Sequence, residues 1–403
     1  MTRRQPPKKT FWRWCHLQPI ALIRQPADEG QRGEDNKSNT TLSLVERVLH
    51  CMFQFIPRTY TVESVTSGHP DKICDQISDA VLDACLEQDP YSRVAAETFG
   101  GHGLLVLAGE VTTKADVDYA ELARAVYKEI GHENELEIMA RIVQQSPDIA
   151  QGVNTGGAGD QGIMYGFATD ETEEYMPKAT VLAHKLARGL EKLRVLGKLP
   201  WIKPDGKTQV TIEQGKVRTV LVSCQHSPDV SQEEIKQQIT AHLIAPLVGD
   251  ISDVEILVNP TGKFEKGGFE ADTGLTGRKI VVDTYGGMLP HGGGCFSGKD
   301  ATKVDRSAAY MCRFVAKNLV AHGYAKECLV SVAYAIGKAE PLMVEAMDEK
   351  GESLVGVVKE KFDFRPQAII ERLNLRQPIF KQTAAYGHFG KPNLPWEQIL
   401  STF

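Results

Sequence analysis

Beyond residue 59 the chain alternates between two hydrophobic periods. Apolar residues recur three to four positions apart in Ile73, Ile77, Val81 and Ala84, in Tyr119, Leu122, Val126 and Ile130, and in Val304, Ala308, Met311, Val315 and Leu319. That spacing draws one apolar stripe along a helix and predicts three amphipathic helices. Further helices are expected over 178–196, 232–246 and 366–373. Runs rich in Val, Ile, Leu and Thr predict strands at 93–98, 104–113, 208–212, 216–226, 254–259, 279–284 and 328–336. Strands come in pairs ahead of helices, which favours α+β domains with sheets covered on one face over a doubly wound parallel sheet. Gly-rich polar stretches at 154–162 and 262–277 mark boundaries, and no internal repeat is legible.

The 403 residues, 42% of them hydrophobic, suffice for two or three domains with a sizeable core. A net charge of −6 gives no general pull toward nucleic acid or an anionic membrane, so any anion site is local. Eight scattered cysteines without a Cys-x-x-Cys pair argue against a zinc site or disulfide framework and fit a reducing compartment. No apolar run reaches the roughly 18 residues of a membrane span. Residues 1–58 differ in character, with six Lys or Arg before the first acid, Asp28, and a polar stretch after it. They read as an extension without a core, either disordered or lying upstream of a start near Met52. Acids in the middle and little early serine argue against a transit peptide.

Several constellations could carry chemistry. Gly68-His69-Pro70-Asp71-Lys72 opens the first helix. A polar residue ahead of proline is an ordinary helix start, yet the same geometry aims unpaired N–H groups at an anion, with His69 able to donate to phosphate and Asp71 to hold Mg²⁺. A second stretch, from His291 through Cys295, Lys299, Asp300 and Lys303 to Asp305, combines glycines that admit an anion with two lysines four apart. Such lysines repel each other unless negative charge lies near. It departs from a P-loop, because Asp300 stands where Ser or Thr would hold Mg²⁺ and the 279–284 strand ends too early. Lys263, Phe264, Asp272, Arg278 and Lys279 occupy glycine-dense turns, and turn formation explains the glycines better than the cations. Asp205 and Lys207 read equally well as part of a type I turn. Glu97 and Glu110 lie in strands able to bury them, as ligands, as cross-strand partners or facing solvent. Gln145, Asp148 and Asp160 flank a Gly-rich stretch able to close over a site.

As a set these residues contain cations, carboxylates and a histidine, with no Ser-His-Asp or Cys-His arrangement. Such a set suits stabilising a large negative charge with Mg²⁺ help, not activating a nucleophile. A thioether sulfur attacking carbon fits, since it has no proton to lose. At this point the strings GHPDKICDQISDAVLDACLEQDP, GGAGDQGIMYGFATDET, LPWIKPDGKTQV, GLTGRKIVVDTYGG, HGGGCFSGKDATKVDRSAAY and TAAYGHFGKPNLPW resemble the S-adenosylmethionine synthetase family, from residue 60 to 396.

The resemblance implies three similar α+β domains with pseudo-threefold symmetry, at 59–149, 156–264 and 265–403, and a reaction joining L-methionine to the adenosyl part of ATP. It implies that His69 meets the triphosphate, that Asp71 and Asp305 bind Mg²⁺, and that Glu97 serves K⁺. Glu110, Gln145 and Asp160 fall where the family handles methionine, with Asp272 touching both substrates. Asp205, Lys207, Lys263, Phe264, Arg278, Lys279, Cys295, Lys299 and Lys303 match ATP and phosphate positions, Lys303 also lying near methionine. His69, Arg278, Lys279, Lys299 and Lys303 form the expected catalytic set. Also implied are a homodimer or homotetramer with the site at the dimer interface, a cytoplasmic location, and no nucleic-acid or membrane partner.

Three departures stand out. Lys263 replaces a common arginine, a point charge for a bidentate fork. Cys295 replaces a common alanine and could bring oxidant sensitivity if exposed. The segments 130–144 and 154–159 are shorter than in typical bacterial members, which puts gating in question. Two rivals make different predictions: a catalytically dead relative would serve an active partner, and a P-loop phosphotransferase would move a γ-phosphate without methionine.

Overall fold

The computed structural model describes residues 56–144 and 156–403; residues 1–55, and Gln145 and Asp148 with the rest of 145–155, lie outside the described residues. Along the chain run β1 (Thr59–Val65), α1 (Pro70–Gln88), β2 (Arg93–Gly101), β3 (Leu104–Thr112), α2 (Tyr119–Ile130) and β4 (Glu137–Val143). There follow β5 (Gly162–Thr169), α3 (Lys178–Val195), β6 (Ile202–Glu213), β7 (Lys216–His226), α4 (Gln232–Ile239), α5 (Ala245–Val248) and β8 (Glu255–Val258). Last come β9 (Gly274–Leu275), α6 (Ile280–Asp283), α7 (Val304–Ala321), β10 (Glu327–Tyr334), β11 (Met343–Asp348), α8 (Val355–Lys361) and α9 (Pro366–Arg372).

Each third of the chain sends its first strand into the sheet of another third. β1 pairs antiparallel with β6, β5 with β10, and β9 with β2. Each receiving strand then forms an antiparallel pair with its successor, β6 with β7, β10 with β11 and β2 with β3. In two of the sheets a helix crossover returns a parallel fourth strand, β4 beside β3 and β8 beside β7. The helix ahead of each pair, α1, α3 or α7, packs against the first strand of the pair and the incoming strand. This is an α+β fold repeated three times with pseudo-threefold symmetry. Because strands are exchanged in a cycle, no third closes its sheet from its own residues, and the loops between thirds are drawn together.

The three amphipathic helices form as their spacing predicts, and α1 is buried on almost every side. The stretch 279–284 is not a strand. It forms the single helical turn α6, with the Asp283 amide bonded to the Lys279 carbonyl at 2.8 Å and the chain then turning at Gly286 and Gly287, both with positive φ. Its β-branched residues favour a strand, but burial of Val282 and Asp283 decides the local conformation. The expected 232–246 helix is broken by one π-type turn at Thr240–Ile244, just ahead of Pro246, which has no N–H for a regular ladder. β1, β4, β5, β9 and β11 have no counterpart among the expected strands. β5 is buried without a break over its second half and β4 is mostly exposed, so neither shows clean alternation. No helix among the described residues is long and apolar enough to cross a membrane.

Candidate active site

The loop into α1 makes the first wall. Gly68 presses on Pro204 of β6, where an added Cβ would lie 2.5 Å from the proline backbone. His69 caps α1, its Nδ1 accepting the Asp71 amide proton at 3.2 Å, so the ring proton is on Nε2 and free to donate. Burial, then the charges of Lys279 and Lys207, press the His69 pKa down to about 3, so the ring is neutral. Asp71 accepts the Leu275 amide at 3.0 Å and the Lys279 ammonium at 2.6 Å, with the Arg278 guanidinium 3.8 Å away. Burial pushes the Asp71 carboxyl up, but the Lys279 hydrogen bond and charge outweigh it and the group ionises below its usual range.

β6 supplies the second wall. One oxygen of buried Asp205 accepts the Gly268 amide at 2.8 Å, while Oδ1 has no partner among the described residues. Burial raises this carboxyl to about 6. Lys207, exposed two residues on, acts electrostatically on both Asp205 and His69. Asp272 is exposed, its Oδ1 accepting the Thr273 amide at 2.7 Å, and its charge reaches Asp205. Lys263 is largely exposed and pairs with Glu265 at 3.2 Å. Phe264 is fixed through its backbone, its N–H donating to His226 Nε2 at 3.1 Å and its carbonyl accepting the His226 amide at 2.9 Å.

The loop before α7 makes the third wall. Lys299 donates to Asp305, and Lys303 to buried Asp300, which also accepts the Val94 amide at 2.8 Å. Burial would lower the Lys299 pKa, but Cys295 and Asp305 raise it above its ordinary value. Cys295 is half-buried beside Gly277, and burial pushes its thiol up, which works against the oxidant-sensitive thiolate. The same contact joins the two cation groups, since Gly277 precedes Arg278 and Cys295 lies near Lys299. Asp160, exposed, acts on Lys299, and Glu97 acts on Cys295. Glu97 is exposed and Glu110 half-exposed, the solvent-facing alternative, because their β2 and β3 positions face away from α1. They share that face with exposed Phe99, Met139, Val143 and Leu275. Ala95, opposite Glu110, also bridges to Lys299.

An unforeseen ladder on α1 positions these loops. Asp71, Asp75 and Asp79, one turn apart, accept the amides of Leu275, Gly277 and Gly298 at 3.0, 2.8 and 2.8 Å, and Asp83 accepts those of Phe380 and Lys381. Asp79 also grips the buried Arg306 guanidinium at 2.6 and 2.8 Å. Lys72, although inside the helix-opening motif, points inward to Asp75 and Asp283 and is wholly buried. Four aspartates at a spacing of four along one helix were the available signal.

Lys279, Lys299 and Lys303 are each neutralised by a carboxylate, so an arriving anion exchanges one partner for another. No group of three or more His, Cys, Asp or Glu among the described residues could hold a metal alone. Asp71 and Asp305 still offer hard oxygen ligands, which suits Mg²⁺ carried mainly by a polyphosphate and its waters.

The class so defined is a threefold-repeated α+β enzyme with a cation-lined site where the repeats meet. Residues 57–150, 155–264 and 266–398 match the N-terminal, central and C-terminal domains of S-adenosylmethionine synthetase. A relative from Petrotoga mobilis named S-adenosylmethionine synthase is 51% identical over 385 residues, 84% of this chain and 96% of its own length. One of the same name from Pseudothermotoga lettingae is 51% identical over 384 residues, 85% and 96% of the two chains, and one from Clostridium tetani is 49% identical over 385 residues, 85% and 97%. The chain belongs to the S-adenosylmethionine synthetase family, the methionine adenosyltransferases, whose substrates are ATP and L-methionine.

The buried histidines give the fold a defined acid response. His132, behind the Gly68 loop, donates to the Gly68 carbonyl at 3.1 Å, and burial lowers its pKa to about 4. Below about 6.5 the unfolded chain takes up a proton that the native ring refuses, so stability falls with pH across that window. Relative to His132→Gln, the unfolding free energy in urea is expected to drop about 2 kcal/mol more between pH 7 and pH 5. A difference independent of pH would show that the ring is not held neutral.

Proposed function

We propose that the chain makes S-adenosylmethionine at this cleft, with His69, Arg278, Lys279, Lys299 and Lys303 bearing on the triphosphate of ATP. The observation that carries the reading is the neutral, helix-capping histidine set beside three ammonium groups that are each latched to a carboxylate. The methionine sulfur attacks the ribose 5′ carbon, an S–C bond forming as the C–O bond to the triphosphate breaks and its electron pair passes to the leaving oxygen. No base is required. What must be stabilised is the departing charge, which is the role of fixed cations and of the His69 Nε2–H. Water then cleaves the held triphosphate into phosphate and diphosphate.

Asp205, Lys207, Lys263, Phe264, Asp272 and Cys295 complete the ATP site in this reading, and Glu110, Gln145, Asp160, Asp272 and Lys303 the methionine site. The buried, unpartnered Oδ1 of Asp205 supports a hydrogen-bonding role toward the nucleotide. Asp71 and Asp305 would hold Mg²⁺, which supplies further neutralisation of the polyphosphate, and Glu97 would serve K⁺. Two copies, as a homodimer or as half of a homotetramer, would meet through the apolar face that bears Glu97 and Glu110 and would complete each other's site; burial of Phe99, Met139, Val143 and Leu275 favours it. A cytoplasmic location and three domains at 59–149, 156–264 and 265–403 complete the proposal. The P-loop reading loses its support, since the segment ahead of the glycine-rich loop is the helical turn α6 and not a strand. Purified protein given ATP, methionine, Mg²⁺ and K⁺ is expected to release S-adenosylmethionine, phosphate and diphosphate in equal amounts. Folded protein that forms none, or that transfers a γ-phosphate without methionine, would refute the reading.

A further inference from the structure

We infer that His132 is a positioning residue for the nucleotide half of the site, acting through the hydrogen bond from its Nε2–H to the Gly68 carbonyl. The inference rests on the proposed placement of His69 and Asp205 at ATP. His132 follows Gly131, the left-handed residue (φ 107°) that ends α2 and turns the chain inward. That turn delivers the imidazole beneath two backbone segments from different thirds of the chain. On one side Nε2 donates to the carbonyl of Gly68, the residue before His69, at 3.1 Å. On the other the ring edge abuts Gly268, where an added Cβ would lie 2.3 Å from Cε1; a glycine with φ 58° lets the turn close over the imidazole. The Gly268 amide in turn holds Asp205 Oδ2 at 2.8 Å.

The ring has little freedom to yield. It stacks on Tyr127 with centroids 4.9 Å apart and planes 13° from parallel, and Tyr127 stacks on Phe269 at 5.6 Å and 7°. Gly68 cannot retreat the other way, because Pro204 lies against it. Loss of the Nε2–H bond therefore frees the Gly68 carbonyl and with it His69, although His132 itself reaches no substrate. Shifts of about 1 Å in such groups can cost up to about 10²-fold in rate.

Two substitutions separate the hydrogen bond from the packing. His132→Phe keeps a stacking ring without the donor, and His132→Gln keeps a donor near the Nε2 position without the ring. The H132F protein is expected to show a KM for ATP about tenfold higher, ATP binding without methionine weakened by a similar factor in calorimetry, and a methionine KM within about twofold of wild type. The H132Q protein is expected to stay within about twofold of wild type on all three, whether or not H132F folds. ATP affinity unchanged in H132F, or lost tenfold in H132Q, would overturn the inference. His69→Ala is the control: if it too is as active as wild type, the placement of the site fails instead.

Discussion

Replacing Lys299 with methionine is expected to lower kcat about 10²- to 10³-fold while leaving the unfolding free energy within about 1 kcal/mol of wild type. The two effects part because the ammonium has two different jobs. In the free protein it is paired with Asp305 in a partly exposed position, so losing the pair removes a screened interaction. In the proposed reaction the same ammonium would face charge that grows as the triphosphate leaves, where a fixed donor counts most. Methionine retains the apolar stem, so the backbone bridge between Lys299 and Ala95 should persist. Single-turnover formation of S-adenosylmethionine, read beside urea denaturation, checks both halves. A drop in stability matching the drop in rate would make Lys299 a structural residue.

Lys299 also shows why much of this site was legible from residue types alone. Lysines that repel one another within a glycine-rich loop need an anion near, and Lys299 and Lys303 each have one in the folded chain, Asp305 and Asp300. The identity of those partners was not legible. Asp300 read as a flaw in a P-loop, whereas it fixes the Val94 amide and Lys303 together. Lys72 stands inside the helix-opening motif, and nothing in its spacing tells that α1 turns it into the core against Asp75 and Asp283. Side-chain direction on a helix buried all round follows from tertiary packing, which one-dimensional spacing does not encode. The strands divide the same way. β2, β3, β7 and β10 carry the β-branched runs expected of them, whereas β5 is buried without a break over its second half and β4 is mostly exposed. The repeat stayed hidden because its signature is the exchange of β1, β5 and β9 between sheets, a feature of pairing and not of residue pattern.

The most severe loss of stability is expected from Asp79→Asn, a change of one atom in the wall of α1. Asp79 holds Arg306 through two hydrogen bonds and accepts the Gly298 amide, with both side chains sealed from solvent. Burial would lower the Arg306 pKa, but the charge of Asp79 outweighs it. An amide in that place removes the paired charge and leaves the guanidinium desolvated, its other hydrogen-bond partners among the described residues, Tyr310, Thr383 and the Lys299 carbonyl, all being neutral. Breaking a buried pair from one side costs about 3–5 kcal/mol, whereas replacing both partners with apolar residues of similar volume is often nearly neutral. The D79N protein should therefore lose that much unfolding free energy in urea, and a D79M/R306M double variant should regain most of it. Turnover should not return with it, because the Gly298 amide beside Lys299 is still released and the loop that carries the ammonium is no longer anchored to α1. A D79N protein as stable as wild type would mean that the aspartate ladder does not hold these loops. Recovery of full activity in the double variant would mean that Lys299 finds its place without it.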